Sequence, residues 1–394
     1  MKAWIKKPSS LAFVAILVLL LTVMIIRRVQ VNRIWGEYVP AAQTQSAEVT
    51  PARSPEETPA PAADEKEYVI SIVGDCTLAS PQFIDPTEHR SIEYHIQSDY
   101  SYPFAFTRDY FLDDDLTLAN LECVLSDTRF SSLEQFSFLA PTAYVEILKQ
   151  GGVDFVTTAN NHIEDFGTGG REFTYIALDT AEFAYGKDGE SRIFTTESGL
   201  RVGIYCATGK NNGGFLEIDP EPAVTAVKQL KAEGADYVVC ILHWGRELVY
   251  KPTDGQIDIA HRCIDAGADL IYGSHSHCLQ PVEEYKDGLI LYSMGNWVFG
   301  GSTAPTDMDT AIIQVRVIRG SDGSIRNAGY TAIPCCVSSR PVKDNYSGDN
   351  YNDYRPTPYT EGSDAYKRVL SKLDGSYVPD SEGRDYSDVY AQYG

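Results

Sequence analysis

The sequence predicts an α/β layered domain, on three observations. Short β-prone runs recur at 68–73, 153–158, 202–205, 237–242, 270–272, 289–292 and 311–317, with helix-like stretches between several of them. Those stretches stop at glycine: 141–150 at Gly151-Gly152, 222–233 at Gly234 and 256–266 at Gly267. The composition is globular, 43% hydrophobic and 22% charged over 394 residues, enough chain for one large domain or two ordinary ones.

The chain opens in another style. Residues 1–33 hold six cations (Lys2, Lys6, Lys7, Arg27, Arg28, Arg33) and no acid, and between them residues 11–26 are apolar except for Thr22. A bilayer core needs roughly 17–25 residues, so this run and its flanks predict a transmembrane segment over 11–28 behind a short cytoplasmic tail, 1–10. Arg27-Arg28 follows the run where a small-residue cleavage site would stand, which favours an uncleaved signal anchor over its competitor, a cleaved signal peptide. No Cys precedes Cys76, which rules out an N-terminal lipoprotein anchor. Lys2, Lys6 and Lys7 on the short tail favour tail inside and bulk outside. The expected localisation is therefore single-pass at the cell membrane, with the main domain extracytoplasmic.

Residues 29–66 are rich in Pro, Ala and Glu, show no apolar periodicity and read as a disordered linker. The domain proper is expected over 67–340. Beyond it, 341–394 carries nine of the chain's 25 Tyr among Asp, Gly, Ser and Pro; it reads as a wrapping extension and a tail, with only 364–373 helical. The 33 Lys and Arg against 55 Asp and Glu argue against a nucleic-acid partner, which usually meets a basic footprint. Eight Cys without a C-x-x-C pair suggest neither a disulfide scaffold nor a zinc ribbon, and most of them sit in or beside apolar strands as buried thiols.

The chemistry gathers at the carboxyl ends of the predicted strands, where open α/β sheets keep their sites. Asp75 follows the first strand; Asn120 and Glu122 follow 116–119; Asn160, Asn161 and His162 follow 153–158; His243 follows 237–242; His275 and His277 follow 270–272. One such His alone is more often a loop residue making an ordinary hydrogen bond, and one such Asp a helix cap. Their coincidence points to a site, because carboxylates, an amide oxygen and imidazoles are the ligand set of a divalent ion such as Mn, Fe or Zn. In extended backbone the rings of His275 and His277 point to one side, and so do Asp75 and Thr77, with Cys76 opposite. There is no G-x-S-x-G elbow and no P-loop, and Thr168-Gly169-Gly170 reads as a turn.

These motifs stand in a recognisable order: Gly74-Asp75, Asn120-Leu121-Glu122, Ala159-Asn160-Asn161-His162 with Asp165 and Gly167, His243-Trp244-Gly245, Gly273-Ser274-His275-Ser276-His277 with Gln280, and 292–299 around Asn296. Over roughly 68–340 the chain resembles the bacterial poly-γ-glutamate capsule synthesis family of CapA/PgsA type, which is similar in fold to calcineurin-like metallophosphoesterases. The resemblance implies a four-layer α-β-β-α sandwich and an N-terminal membrane anchor. It also implies one or two divalent ions on Asp75, Glu122, Asn161, His243, His275 and His277. In the same comparison His162 is the acid that protonates a leaving oxygen, Asp165 orients its loop, and Asn120, Asn160, Trp244 and Asn296 contact substrate. One departure bears on the metal: phosphoesterases of this kind carry a His two residues after the first Asp, and here Thr77 stands in that place.

Three functions stay open at this stage. The first is an anchored component of poly-γ-glutamate or related polymer synthesis and export, working in the membrane beside other synthesis proteins. Those must include a separate ATP-using ligase, since no ATP site is visible here. The second is a metal-dependent phosphoesterase of the cell envelope. The third is a non-catalytic, metal-stabilised scaffold, which the missing His at 77 keeps in view.

Overall fold

The structure, a computed structural model, describes residues 62, 64–128, 132, 136–212, 215–340 and 351–379. The expected membrane segment and nearly all of the linker lie outside the described residues. Among the described residues no helix is long and apolar enough to cross a membrane.

Two sheets carry the fold. The first has eight strands, in the order Thr357–Pro358, Ile325–Cys336, Asp309–Arg319, Lys66–Thr77, Leu116–Leu121, Phe155–Thr157 and Ala184–Gly186, with Asn296–Phe299 pairing the far end of Lys66–Thr77. The second has six, in the order Val282–Tyr285, Gly288–Leu291, Leu270–Ser274, Tyr237–His243, Arg201–Thr208 and Ser191–Thr195. Four neighbouring strands of each sheet run parallel, as the strand–helix alternation predicts; antiparallel strands close both edges of the second sheet and one side of the first.

Burial shows how the layers stack. Ile70, Ile72, Leu116 and Leu118 of the first sheet share one core with Ile204, Val239, Ile241 and Tyr272 of the second, so the sheets pack face to face. The Tyr272 hydroxyl crosses that interface and donates to the Val73 carbonyl at 2.7 Å. A second core includes Ile147, Leu148 and Leu178, from helices Val145–Gly151 and Gly167–Thr180, with Val73 and Ala119 of the first sheet. A third joins helices Pro220–Ala232 and Asp254–Asp265 to Val238 and Cys240 on the outer face of the second sheet. The helices start where side chains can cap them: Asp219 with Pro220 at the first position, and Thr253 with Gln256 in a reciprocal capping box. All eight Cys are buried free thiols, as their apolar surroundings in the sequence predict.

Two readings need correction. Helix Gly167–Thr180 stands where a turn is expected at Thr168-Gly169-Gly170. A Cβ on Gly170 would lie 2.9 Å from the Phe166 Cβ and 3.2 Å from Val124 Cγ1, so this glycine serves close packing within a helix. The second concerns His275 and His277. The strand Leu270–Ser274 ends before them, and both residues have positive φ, 92° and 51°. The rings converge through a left-handed turn and not through the alternation of an extended strand, and left-handed conformations in non-glycine residues cluster at functional sites.

The C-terminal extension wraps back onto the domain. Thr357–Pro358 pairs with Ile325–Cys336, and helix Asp364–Leu373 buries Ala365, Val369 and Leu373. Cys335 and Cys336 pack in separate apolar clusters next to this junction.

Candidate metal centre

The strand ends bring the site together. A register shift between Ile72 and Asp75 changes the parity of the first strand. Cys76 therefore joins Val73 in the outer core, while Asp75 and Thr77 take the opposite face. Gly74 permits this, since a Cβ there would stand 2.1 Å from the Gly295 carbonyl oxygen. Asp75 lies in register with Asn120 on one side and Asn296 on the other, and His243 lies in register with Ser274.

Asp75, Glu122 and His277 form the tightest group, each offering a ligand atom within 4.8 Å of the others. Asp75 and Glu122 are fully buried. Asp75 Oδ1 accepts from Asn120 Nδ2 at 2.8 Å, and Glu122 Oε2 accepts from the Thr77 hydroxyl at 3.1 Å. Their other oxygens, Asp75 Oδ2 and Glu122 Oε1, have no hydrogen-bond partner among the described residues. The nearest cations-in-waiting are imidazoles: His277 Nδ1 lies 3.4 Å from Asp75 Oδ2, and His243 Nε2 lies 3.5 Å from Glu122 Oε1.

The other expected ligands ring this group. His243 is buried, with Nε2 2.6 Å from Asn161 Oδ1 and Nδ1 2.9 Å from the Ser274 hydroxyl. The His275 ring centroid lies 4.8 Å from that of His243, and its Nδ1 is a further buried atom without a partner. Asn161 is exposed and lines the cavity above the cluster.

Electrostatics follow from burial and crowding. Burial and the charge of Asp75 push the Glu122 carboxyl up to about 8. Burial works against a protonated His277, but Glu122 and Asp75 outweigh it and carry that imidazole up to about 10. Burial, with His277 and His162 nearby, drops His275 to about 3, and burial with His275 and His277 holds His243 well below the ordinary range. Two neutral imidazoles therefore stand beside two buried carboxylates. That donor set, with its orphaned oxygens, fits the divalent ion implied by the resemblance: an ion on these oxygens would satisfy them and displace the protons they share.

His162 stands at the mouth. Its Nδ1 lies 3.0 Å and 3.1 Å from the two oxygens of Asp165, and Asp165 Oδ2 also accepts from the Phe138 backbone N–H. Burial opposes the imidazolium, but Asp165 and Glu122 raise its pKa above the ordinary value. Asp165 holds the ring through Nδ1, which leaves Nε2 for another partner.

The expected substrate contacts divide. Asn296 lines the cavity and meets His277 Nδ1 through Oδ1 at 2.9 Å. Asn120 and Asn160 are buried struts: Asn160 Nδ2 donates to Asn120 Oδ1 at 3.0 Å, and Asn120 Nδ2 holds Asp75. Trp244 is not brought to the cluster. As the neighbour of His243 it points to the other face of its strand, 1% exposed, where its indole N–H donates to the Tyr292 carbonyl at 3.0 Å.

Other residues of the site escaped the sequence reading. A cavity of about 300 Å³ over the cluster is walled by Phe136, Phe138, Glu247, Leu248 and Phe299. Glu247 carried a usable signal, a carboxylate four residues past His243; the phenylalanines carried none.

Comparison with known proteins agrees with the motif order. The family model described as bacterial capsule synthesis protein PGA_cap matches residues 69–301. Capsule biosynthesis protein CapA of Bacillus anthracis is 31% identical over 235 residues, 54% of this chain and 57% of that protein. PGA biosynthesis protein CapA of Bacillus subtilis is 33% identical over 195 residues, 45% of this chain and 51% of that one. A probable polyglutamine synthesis accessory protein of Mycobacterium tuberculosis is 29% identical over 210 residues, 47% and 55% of the two chains. The matched region spans about half the length of these curated relatives.

Proposed function

The chain belongs to the bacterial capsule synthesis protein family PGA_cap, and from that premise we propose that it is an accessory component of poly-γ-glutamate synthesis and export. In this reading segment 11–28 anchors it in the cell membrane, the domain faces outward, and a separate ATP-using ligase makes the polymer. The observation that carries a chemical role is the group Asp75, Glu122 and His277, with two buried carboxylate oxygens that have no hydrogen-bond partner among the described residues. These residues, with His243, His275 and Asn161 around them, hold one divalent ion of the Mn, Fe or Zn class. Thr77 offers no imidazole for a second.

The His162–Asp165 pair favours turnover over a scaffold. In a phosphoester hydrolysis the bound ion supplies a Lewis acid for a phosphoryl oxygen. Asp75, Glu122 and His277 hold the charge that fixes it. Water adds to phosphorus as the ester P–O bond breaks, and His162, kept oriented and protonated by Asp165, delivers a proton from Nε2 to the departing oxygen. Phe138, whose ring centroid lies 4.7 Å from that of His162, packs edge-on against the imidazole.

The test is made in the host and in vitro. Cells lacking the chain should release little poly-γ-glutamate, wild type should restore it, and Asp75→Asn should not. Purified full-length protein should carry Mn, Fe or Zn near one per chain and turn over a phosphoester in a broad screen. Protease added to intact cells should remove the domain. Full restoration by Asp75→Asn would remove the metal centre from the function, and a protected domain would refute the outward placement.

A further inference from the structure

The cavity over the cluster has two loop walls. Glu247 and Leu248 form one; Gly301, Ser302, Pro305 and Thr306 form the other. Neither loop belongs to a strand; the first is held from within the domain, where the Leu248 N–H donates to the Ser276 carbonyl at 2.8 Å and Gln280 Nε2 to the Val249 carbonyl at 2.7 Å.

Both walls also meet the C-terminal segment 351–379, which lies beyond the family match at 69–301: the second through hydrogen bonds, the first through the ring of Tyr250. Asn352 donates from its backbone N–H to the Thr303 carbonyl at 2.8 Å and from Nδ2 to the Phe299 carbonyl at 3.1 Å. Asp307, directly after Thr306, receives Lys372 Nζ at 2.8 Å on both oxygens. The same ammonium lies 5.0 Å from the ring centroid of Tyr250, two residues past Leu248. The Lys372 side chain is 2% exposed, and a third donation, at 2.7 Å, goes to Asp309 Oδ2. A single buried ammonium thus meets the base of each wall, and its three N–H groups are all used.

We propose that Lys372, assisted by Asn352, positions the two walls of the cavity, so that the C-terminal segment is part of the substrate site; this rests on the reading that the cavity takes the substrate. The neighbouring cation has a different task. Arg368 donates through Nε and Nη2 to Asp309, at the start of the strand Asp309–Arg319, and so holds the helix to the sheet. Lys372 reaches past the strand to the loop residue Asp307. A helix needed only for stability would have no reason to carry a buried ammonium between two loops, because removing charges from water is costly unless their geometry is specific.

The experiment compares full-length wild type with Lys372→Met, with Asp307→Asn/Lys372→Met and with Asn352→Ala. Amide hydrogen exchange is followed over 247–251 and 299–307, bound Mn is measured, and KM and kcat are determined with bis(p-nitrophenyl) phosphate. The double variant leaves no unpaired charge at 307 and keeps the test open if Lys372→Met fails to fold. Exchange in both loops should rise about tenfold in the double variant, and in Asn352→Ala the rise should be confined to 299–303. Bound Mn should match wild type, and KM should rise about three- to tenfold with kcat changed by less. Loops as protected as in wild type, or loops that open without any change in KM, would overturn the proposal. If wild type fails to turn over the diester, the hydrolytic reading falls on its own, and the exchange result still decides whether Lys372 positions the walls.

Discussion

At Asp307 and Asp309 the chain buries two carboxylates and answers them with Arg368 and Lys372; at Asp75 and Glu122 it buries two carboxylates and supplies imidazoles. In the first cluster every carboxylate oxygen has a donor. Asp307 Oδ1 takes Lys372 and the Asp309 backbone, and Oδ2 takes Lys372; Asp309 Oδ1 takes Arg368 and Tyr359, and Oδ2 takes Arg368 and Lys372. In the second, Asp75 Oδ2 and Glu122 Oε1 have none. A buried carboxylate oxygen without a partner costs free energy unless the group takes up a proton or a cation, and Glu122, pushed up to about 8, is open to either. The first cluster is complete from its own sequence. The second is completed by a cation from solution, in our reading of the site.

The largest effect follows from removing a ligand. Asp75→Asn or His277→Ala should lose bound metal and turnover together. In wild type, chelation should lower the melting temperature, because an ion at about 100 times its Kd contributes about 2.7 kcal/mol to the native state. The Asp307–Asp309 cluster should not respond to chelator: EDTA should lower the melting temperature of Arg368→Met by as much as it lowers that of wild type. A chelator effect that disappears in Arg368→Met would mean the two clusters are one system.

His162→Ala is expected next. His162 hydrogen-bonds Asp165 and lies outside the tight group of Asp75, Glu122 and His277. Turnover should fall by about 10²–10⁴ while metal content stays at the wild-type level. Metal content and rate falling in proportion would make His162 a ligand and leave the acid unassigned.

Much of this was legible in the sequence, and the boundary is physical. Strands such as Tyr237–His243 and Leu270–Ser274 are continuous apolar runs because both faces of a parallel sheet are buried, and a polar residue directly after such a run is easily seen. That contrast marked Asp75, Glu122, His162, His243, His275 and His277. The strand Ile325–Cys336 contains Gly329 and Pro334 and is only partly buried, so no run stood out. Helix Gly167–Thr180 was hidden behind glycines that serve packing, and the left-handed turn at His275 and His277 has no signature in residue type. The salt cluster was the least visible. Asp307 and Lys372 are 65 residues apart, and nothing local to either announces the other.

Arg368→Met comes third. Burial works against a charged Asp309, but Lys372 and Arg368 outweigh it and hold that carboxyl at about 2. Its unfolded value is about 3.9. A carboxyl lower in the folded state adds stability above that value and loses it as pH falls from about 4 toward 2. Removing Arg368 should cost about 3–5 kcal/mol at neutral pH, as for a broken buried pair, and move acid unfolding to higher pH. Arg368→Met/Asp309→Asn should recover part of the loss. Equal acid midpoints in wild type and Arg368→Met would show that Lys372 alone sets the charge of Asp309.

The finest comparison removes one hydroxyl from each cluster. Thr77 and Tyr359 each donate to a buried carboxylate, at 3.1 Å and 2.8 Å. Without Tyr359, Asp309 Oδ1 still receives Arg368; without Thr77, Glu122 Oε2 has no other donor among the described residues. Tyr359→Phe should therefore cost no more than about 1 kcal/mol of stability and leave metal affinity alone. Thr77→Val should weaken metal affinity about 10- to 100-fold, the usual scale for a group that orients a ligand, while Thr77→Ser should restore it. Thr77→His adds the imidazole that the resemblance expects at this position and should raise bound metal from near one toward two per chain. Calorimetric titration with Mn on wild type and the four variants decides the matter. If Thr77→Val binds Mn as tightly as wild type, the hydroxyl does not orient Glu122, and the two clusters differ in net charge alone and not in how their carboxylates are held.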